Sequence, residues 1–141
     1  MSYTTKYAKG LENIPEAADI RRRVFVEEQG FVNEFDDIDS DAIHALIYDD
    51  KKAVATGRLF EDENGWHIGR VAVLPEYRGK KLGAMIISSL ESYAKKLDIK
   101  EINLSAQVQA SGFYTKLGYK NLGDLHMDEH CPHVTMRKKF K

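Results

Sequence analysis

Apolar residues recur along this chain with two spacings, and the switch between them predicts the order of its elements. Residues 3–8 can form a short first strand. Around Pro15, the residues Ile14, Ala17, Ala18, Arg21, Val24 and Phe25 recur every three or four positions, predicting a helix that ends near Gly30. Residues 31–41 carry Glu34, Asp36, Asp37, Asp39 and Asp41 without a period, which reads as an acidic, solvated loop. Residues 43–48 and 52–60, joined by Asp49-Asp50-Lys51, predict a hairpin. The turn Asp62-Glu63-Asn64-Gly65 then leads into a third antiparallel strand over 66–73. After Pro75 the spacing changes: Leu82, Met85, Ile86, Leu90, Tyr93, Ala94 and Leu97 mark a helix of about four turns. A short buried strand over 102–106 follows, then a short helix marked by Ala110, Phe113, Tyr114 and Leu117 and closed by Gly118. Residues 119–122 and 133–137 fit a closing pair of strands.

A strand, a long helix and a strand form a crossover unit, so the strands flanking the long helix should be parallel. The expected fold is an α+β domain with a mixed sheet and helices on its faces. At a prior of ~100–200 residues per domain, 141 residues form one domain, residues 1–141, and no linker or repeat divides them. The one cysteine, Cys131, cannot cross-link the chain to itself, which favours a reducing, cytoplasmic setting. No apolar run approaches the ~20 residues of a membrane span, and the N-terminal residues lack a signal pattern. A formal net charge of −1 removes the field that a nucleic-acid binder needs, so no nucleic-acid or membrane partner is expected and any anion site is local. The basic runs Arg21-Arg22-Arg23 and 137–141 read as a solvated face and a soluble tail.

The third basic run has a different context. Val71-Ala72-Val73-Leu74-Pro75-Glu76-Tyr77-Arg78-Gly79-Lys80-Lys81-Leu82-Gly83-Ala84 is a strand end, a basic loop and the first turn of the long helix. Such a helix start offers unpaired N–H groups and the positive end of its dipole, a seat for a pyrophosphate. The P-loop pattern fails because Gly83 is followed by Ala84, and the GxGxxG pattern fails at Lys81.

This stretch resembles the GNAT superfamily of N-acetyltransferases, and within it the small ElaA-like branch. In the superfamily signature, Arg78 takes the first position, Leu82 the variable one and Gly83 the last. Lys81 stands where glycine is usual, and as a first-turn residue it is expected to need no positive φ. Residues 23–31, the acidic loop, the run from Ala106-Gln107 through Phe113-Tyr114-Thr115-Lys116-Leu117-Gly118-Tyr119, and Pro132-His133-Val134-Thr135-Met136 resemble further segments of the branch in the same order. The resemblance implies strands four and five splayed apart with acetyl-CoA between them and no metal. Backbone groups of Val71, Ala72 and Val73 would bind the pantetheine arm, and Gln107 would belong to the cofactor site. Arg78, Gly79, Lys80, Lys81, Leu82, Gly83 and Ala84 would hold the pyrophosphate.

By the same resemblance Tyr114 stands at the CoA sulfur, where a phenol of pKa ~10 can hydrogen-bond or protonate a thiolate of pKa ~8.5. An alkyl amine of pKa ~10.4 costs about 4.6 kcal/mol to deprotonate at pH 7, so a base is needed. Strand four holds no carboxylate; Glu27 or Glu28 at the end of the first helix and His133 in the last strand are the candidates. Arg70 and the acidic loop, with Asp36, Asp37 and Asp39, would shape the pocket of a small-molecule or peptide amine, acidic walls suiting a cation. Rival readings are a zinc site on His126, His130, Cys131 and His133, and a hydrolase using Cys131 with His133. Two others are a sensor that binds acyl-CoA without turnover, and a structural or partner-binding domain that binds none. The zinc ligands are out of standard order and Pro132 interrupts them, while nothing prepares a thiolate. The acceptor's identity and the oligomeric state are not written in the sequence.

Overall fold

The computed structural model describes residues 2–140; Met1 and Lys141, the outermost residues of the expected domain, lie outside the described residues. Seven strands form one sheet: β1 (Tyr3–Lys9), β2 (Ile43–Asp49), β3 (Lys52–Asp62), β4 (Gly65–Val73), β5 (Glu101–Gln107), β6 (Lys120–Asp128) and β7 (Cys131–Lys139), in the order β1-β2-β3-β4-β5-β7-β6. Every neighbouring pair is antiparallel except β4 and β5, which are parallel as the crossover requires. Three α-helices complete the fold: α1 (Pro15–Arg21), α2 (Leu82–Lys96) and α3 (Ser111–Lys116). The class is the α+β one expected. Among the described residues no helix is long and apolar enough to cross a membrane.

The two helical layers lie on opposite faces of the sheet. A Cβ on Gly57 would lie 2.6 Å from Ile86 Cγ2 and 3.2 Å from Leu90 Cδ1, so β3 meets α2 with backbone at this point. Its neighbour Arg58 points the other way, toward the acidic loop and α1. Leu82, Ile86, Ile87, Leu90 and Ala94 form the buried stripe of α2, at the spacing its sequence shows. α3 ends in the predicted way: Gly118, at φ 97°, donates to Thr115 O, and Tyr119 N donates to Tyr114 O.

Four expectations give way here. The first helix passes at Arg21 into a π-helical segment, Arg22–Glu28, in which Val24 and Phe25 are both buried side by side. Arg21 is not on a solvated face; it is 1% exposed. Its Nε donates to Glu34 Oε2 at 2.8 Å and one terminal nitrogen to Asp39 Oδ1 at 2.7 Å. Arg58 donates to Asp36 and Asp39, each at 2.8 Å, and Arg70 Nε lies 3.1 Å from Glu34. Three guanidinium groups thus neutralise three carboxylates, Glu34 and Asp39 are buried, and the acidic wall for a cationic substrate is spent inside the protein. The third correction concerns the basic tail, whose residues 137–139 belong to β7. Lys138 Nζ donates to Glu91 at 3.1 Å and to Leu117 O at 2.8 Å. The fourth is that the closing strands run to Asp128 and start again at Cys131, turning at Glu129 and His130, because Gly123 at φ 85° lets β6 continue through an irregular pairing.

β4 and β5 share a single ladder pair, His67 with Asn103, and separate beyond it. On the other side of β4, Thr56 faces Ala72 and Arg58 faces Gly69, which leaves Arg70 and Val71 opposite Gly57 alone. This bulge carries Arg70 at φ 51° and kinks β4 where it leaves β5.

Candidate active site

The gap between β4 and β5 opens into a cavity of about 510 Å³. Val71, Ala72 and Val73 form its β4 side, Leu104, Ser105 and Gln107 its β5 side, and Phe113 and Tyr114 come from α3. Beyond the bulge the wall is made by Phe25, Phe31, Arg58, Phe60 and Arg70, with His133 from β7. The strand ends therefore bring the expected pantetheine residues and both aromatic and titratable candidates to one space. Gln107 donates to Gln29 Oε1 at 2.8 Å, which ties β5 to the segment after the first helix. Glu129 accepts from the N–H groups of Val32 and Asn33, each at 2.8 Å, and so fastens the β6–β7 hairpin over the loop.

At the start of α2, Met85 N donates to Lys81 O, while no side chain caps the helix. The N–H groups of Leu82, Gly83 and Ala84 are those that such a start leaves without intrahelical partners. Gly83 borders the cavity and would bring a Cβ to 3.3 Å from Phe113 Cζ, whereas Leu82 is buried and anchors the turn. Gly79, Lys80, Lys81, Leu82 and Ala84 lie outside the cavity wall, on the loop and first turn above it. Gly79 has φ 80° and open space where a side chain would stand. Lys80 and Lys81 are exposed and make no ion pair among the described residues.

Lys81 departs from the reading given above: it is the residue preceding the first helical turn and sits at φ 65°, ψ 20°. The left-handed conformation costs a residue with a Cβ about 1–2 kcal/mol, which explains why glycine suits this place. Replacing Lys81 by glycine is expected to raise stability by about 0.5–1 kcal/mol in urea unfolding, the relieved strain exceeding the added chain entropy.

Arg78 borders the cavity, and its guanidinium is already engaged. It makes a two-point pair with Glu28, 2.7 Å on each arm, and its Nε donates to Val73 O at 3.1 Å. The Arg78 hydrogen bonds hold the Glu28 carboxyl below the usual carboxylate range. A carboxylate so stabilised in its ionised form is a weaker proton acceptor, and here Glu28 is engaged as the partner of Arg78.

Tyr114 and His133 are better placed for proton chemistry. The Tyr114 hydroxyl has no hydrogen-bond partner among the described residues, and burial pushes its pKa up to about 12. Its ring meets Phe113 and Tyr119 edge to face, at 5.0 and 6.2 Å. Tyr119 in turn donates to Glu91 at 2.8 Å, so α3 is braced against α2 and β7. His133 is 6% exposed, and its Nδ1 lies 2.9 Å from Cys131 O. A carbonyl can only accept, so Nδ1 carries a proton, and in the neutral ring Nε2 is the nitrogen with the lone pair. Among the side chains that the sequence did not assign to the wall are Phe25, Phe31, Arg58 and Ser105. Phe25 was legible as a buried helix position, and Ser105 as the polar residue between Leu104 and Ala106, but nothing local says that both face one cavity.

Residues 15–140 match the family model described as an acetyltransferase (GNAT) domain. The chain is 36% identical over 133 residues to the Bacillus subtilis protein YyaT, covering 91% of this chain and 90% of that one. In architecture it is similar to Escherichia coli ElaA, with a TM-score of 0.85 at 24% identity, covering 98% of this chain and 100% of that one. It is also similar to the PaiA N-acetyltransferase of Thermoplasma acidophilum, whose structure was solved in complex with coenzyme A, with a TM-score of 0.74 at 19% identity over 99% and 100% of the two chains.

Proposed function

The chain belongs to the GNAT acetyltransferase family of acyl-CoA N-acyltransferases, and from that premise we propose that it moves the acetyl group of acetyl-CoA directly to a primary amine in the β4–β5 cavity. The observation that carries this reading is the uncommitted Tyr114 hydroxyl, which borders the same cavity as the open edge of β4. The residues present suit the cosubstrate: backbone at 71–73, a glycine at the cavity edge of α2, and unpaired cationic Lys80 and Lys81 outside it for the phosphates. Acetyl-CoA supplies an activated thioester; the protein supplies position and proton handling.

His133 Nε2 takes the proton of the incoming ammonium, the role for which its fixed tautomer prepares it. Tyr114 donates a hydrogen bond to the departing sulfur. With a phenol near 12 and a thiol near ~8.5, full transfer from Tyr114 would be uphill by about 5 kcal/mol, so the proton that ends on sulfur comes from the amine. Glu28 orients Arg78 at the edge of the cavity. The acceptor is a small-molecule or peptide amine, bounded by Phe25, Phe31 and Arg70.

The test is acetyl-CoA turnover followed by free thiol across amines of different class. Amine-dependent thiol release with acetylated product is expected. CoA-dependent thermal stabilisation without release by any amine would instead establish a sensor.

A further inference from the structure

On the β5–β7–β6 side of the cavity three side chains stand in series. The Ser105 hydroxyl lies 2.8 Å from His126 Nε2. His126 Nδ1 lies 3.3 Å from Asp124 O and 3.6 Å from Asp124 Oδ2. Only acceptors face Nδ1, so it carries the proton and Nε2 accepts from the Ser105 hydroxyl. Asp124 is itself fixed: Thr135 N donates to its Oδ1 at 3.1 Å and Thr135 Oγ1 to its Oδ2 at 2.8 Å. A hydroxyl that donates to an imidazole, whose other nitrogen is held by a backbone carbonyl with a carboxylate 3.6 Å away, is the arrangement that makes a serine nucleophilic.

Their position relative to the cavity matters as much. Ser105 borders it, while His126 and Asp124 stand behind, toward solvent. Counting two residues on from the His67–Asn103 pair, Ser105 is level with Gly69, beside the bulge at Arg70 where β4 leaves β5. Ser105 shares a strand face with Gln107, which pairs with His133 and reaches Gln29, so the hydroxyl is on the α1 side of the sheet, opposite α2. The His126 and His133 rings are stacked 6.0 Å apart on that same face.

We propose that Ser105, with His126 as its base and Asp124 behind it, is a second catalytic centre that hydrolyses acyl-CoA without an amine. The proposal rests on the reading that this cavity binds acetyl-CoA. The Ser105 oxygen bonds to the thioester carbonyl carbon as its proton passes to His126 Nε2. The carbon–sulfur bond breaks, the thiolate takes that proton, and an acetyl ester remains on Ser105. Water then attacks the ester, His126 takes the water's proton and returns it to the Ser105 oxygen, and acetate leaves. Tyr114, the free donor of the cavity, faces the departing sulfur in both reactions.

The experiment uses the full chain with acetyl-CoA and no amine, following free thiol and, after acid quench, the mass of the peptide that contains Ser105. Slow thiol release and an acetyl group on that peptide are expected. Ser105→Ala and His126→Gln should each lower amine-free release by about tenfold or more and abolish the adduct. Their thermal stabilisation by CoA should persist, showing folded protein. Amine-free release unchanged in both variants overturns the proposal, as does its absence from a wild-type chain that acetylates amines. Amine-free release that depends on Ser105, with no amine ever acetylated, leaves this centre standing and sinks the transferase reading.

Discussion

Tyr114→Phe is expected to lower kcat by about 100-fold while changing the KM for acetyl-CoA by no more than about threefold, in steady-state thiol release with a saturating amine. The hydroxyl has no partner to lose among the described residues, so its removal leaves the packing against Phe113 and Tyr119 intact. On the proposed mechanism, what disappears is a donor that matters only as charge gathers on the sulfur. The pH profile carries a second signature. With burial pushing the phenol up to about 12, Tyr114 stays protonated through the working range, and kcat should show no alkaline fall due to it below about pH 10. An alkaline limb that vanishes in Tyr114→Phe would mean that the phenol gives up its proton earlier than its surroundings dictate.

Arg21→Ala is expected to destabilise the fold by about 3–5 kcal/mol at pH 7 in chemical denaturation. The loss comes from what remains: Glu34 and Asp39, both buried, keep only Arg70 and Arg58 as ionic partners. The penalty should shrink in acid. The hydrogen bonds and charges of Arg21 and Arg58 overcome the burial of the Asp39 carboxyl and hold it down at about 2, against an ordinary value near 3.8. A depressed carboxylate contributes stability that is fully present above about pH 4 and fades as pH falls toward 2. Glu34 moves the other way, because burial pushes its carboxyl up and it protonates sooner. The difference between wild type and Arg21→Ala should therefore be largest above pH 5 and narrow steadily below pH 4. A penalty independent of pH would place the role of Arg21 in packing alone.

The elements that proved legible are those whose signal is local. Leu82 to Ala94 keep a helical stripe, and Gly65 and Gly118 sit where turn chemistry puts them. What escaped depends on partners distant in sequence. Arg21 looks like one of three consecutive surface arginines until Glu34 and Asp39 are brought against it. Lys81 shows how a motif can be recognised while its geometry is misjudged: glycine is usual there for its backbone angle, and this chain accepts the strain. For the site, resemblance proposes Tyr114 and residues 71–73, and chemical type proposes Glu28 and His133. The sequence does not show that Arg78 reaches Glu28 or that Cys131 O lies against His133 Nδ1.

The single pair joining β4 to β5 divides the sheet mechanically into two plates, one of four strands and one of three. Each plate is bound by its own antiparallel ladders, and the seam between them crosses at His67 and Asn103. A movement that widens the seam breaks no ladder beyond that pair, so the width of the cavity between β4 and β5 can vary at a cost far below that of unfolding either plate.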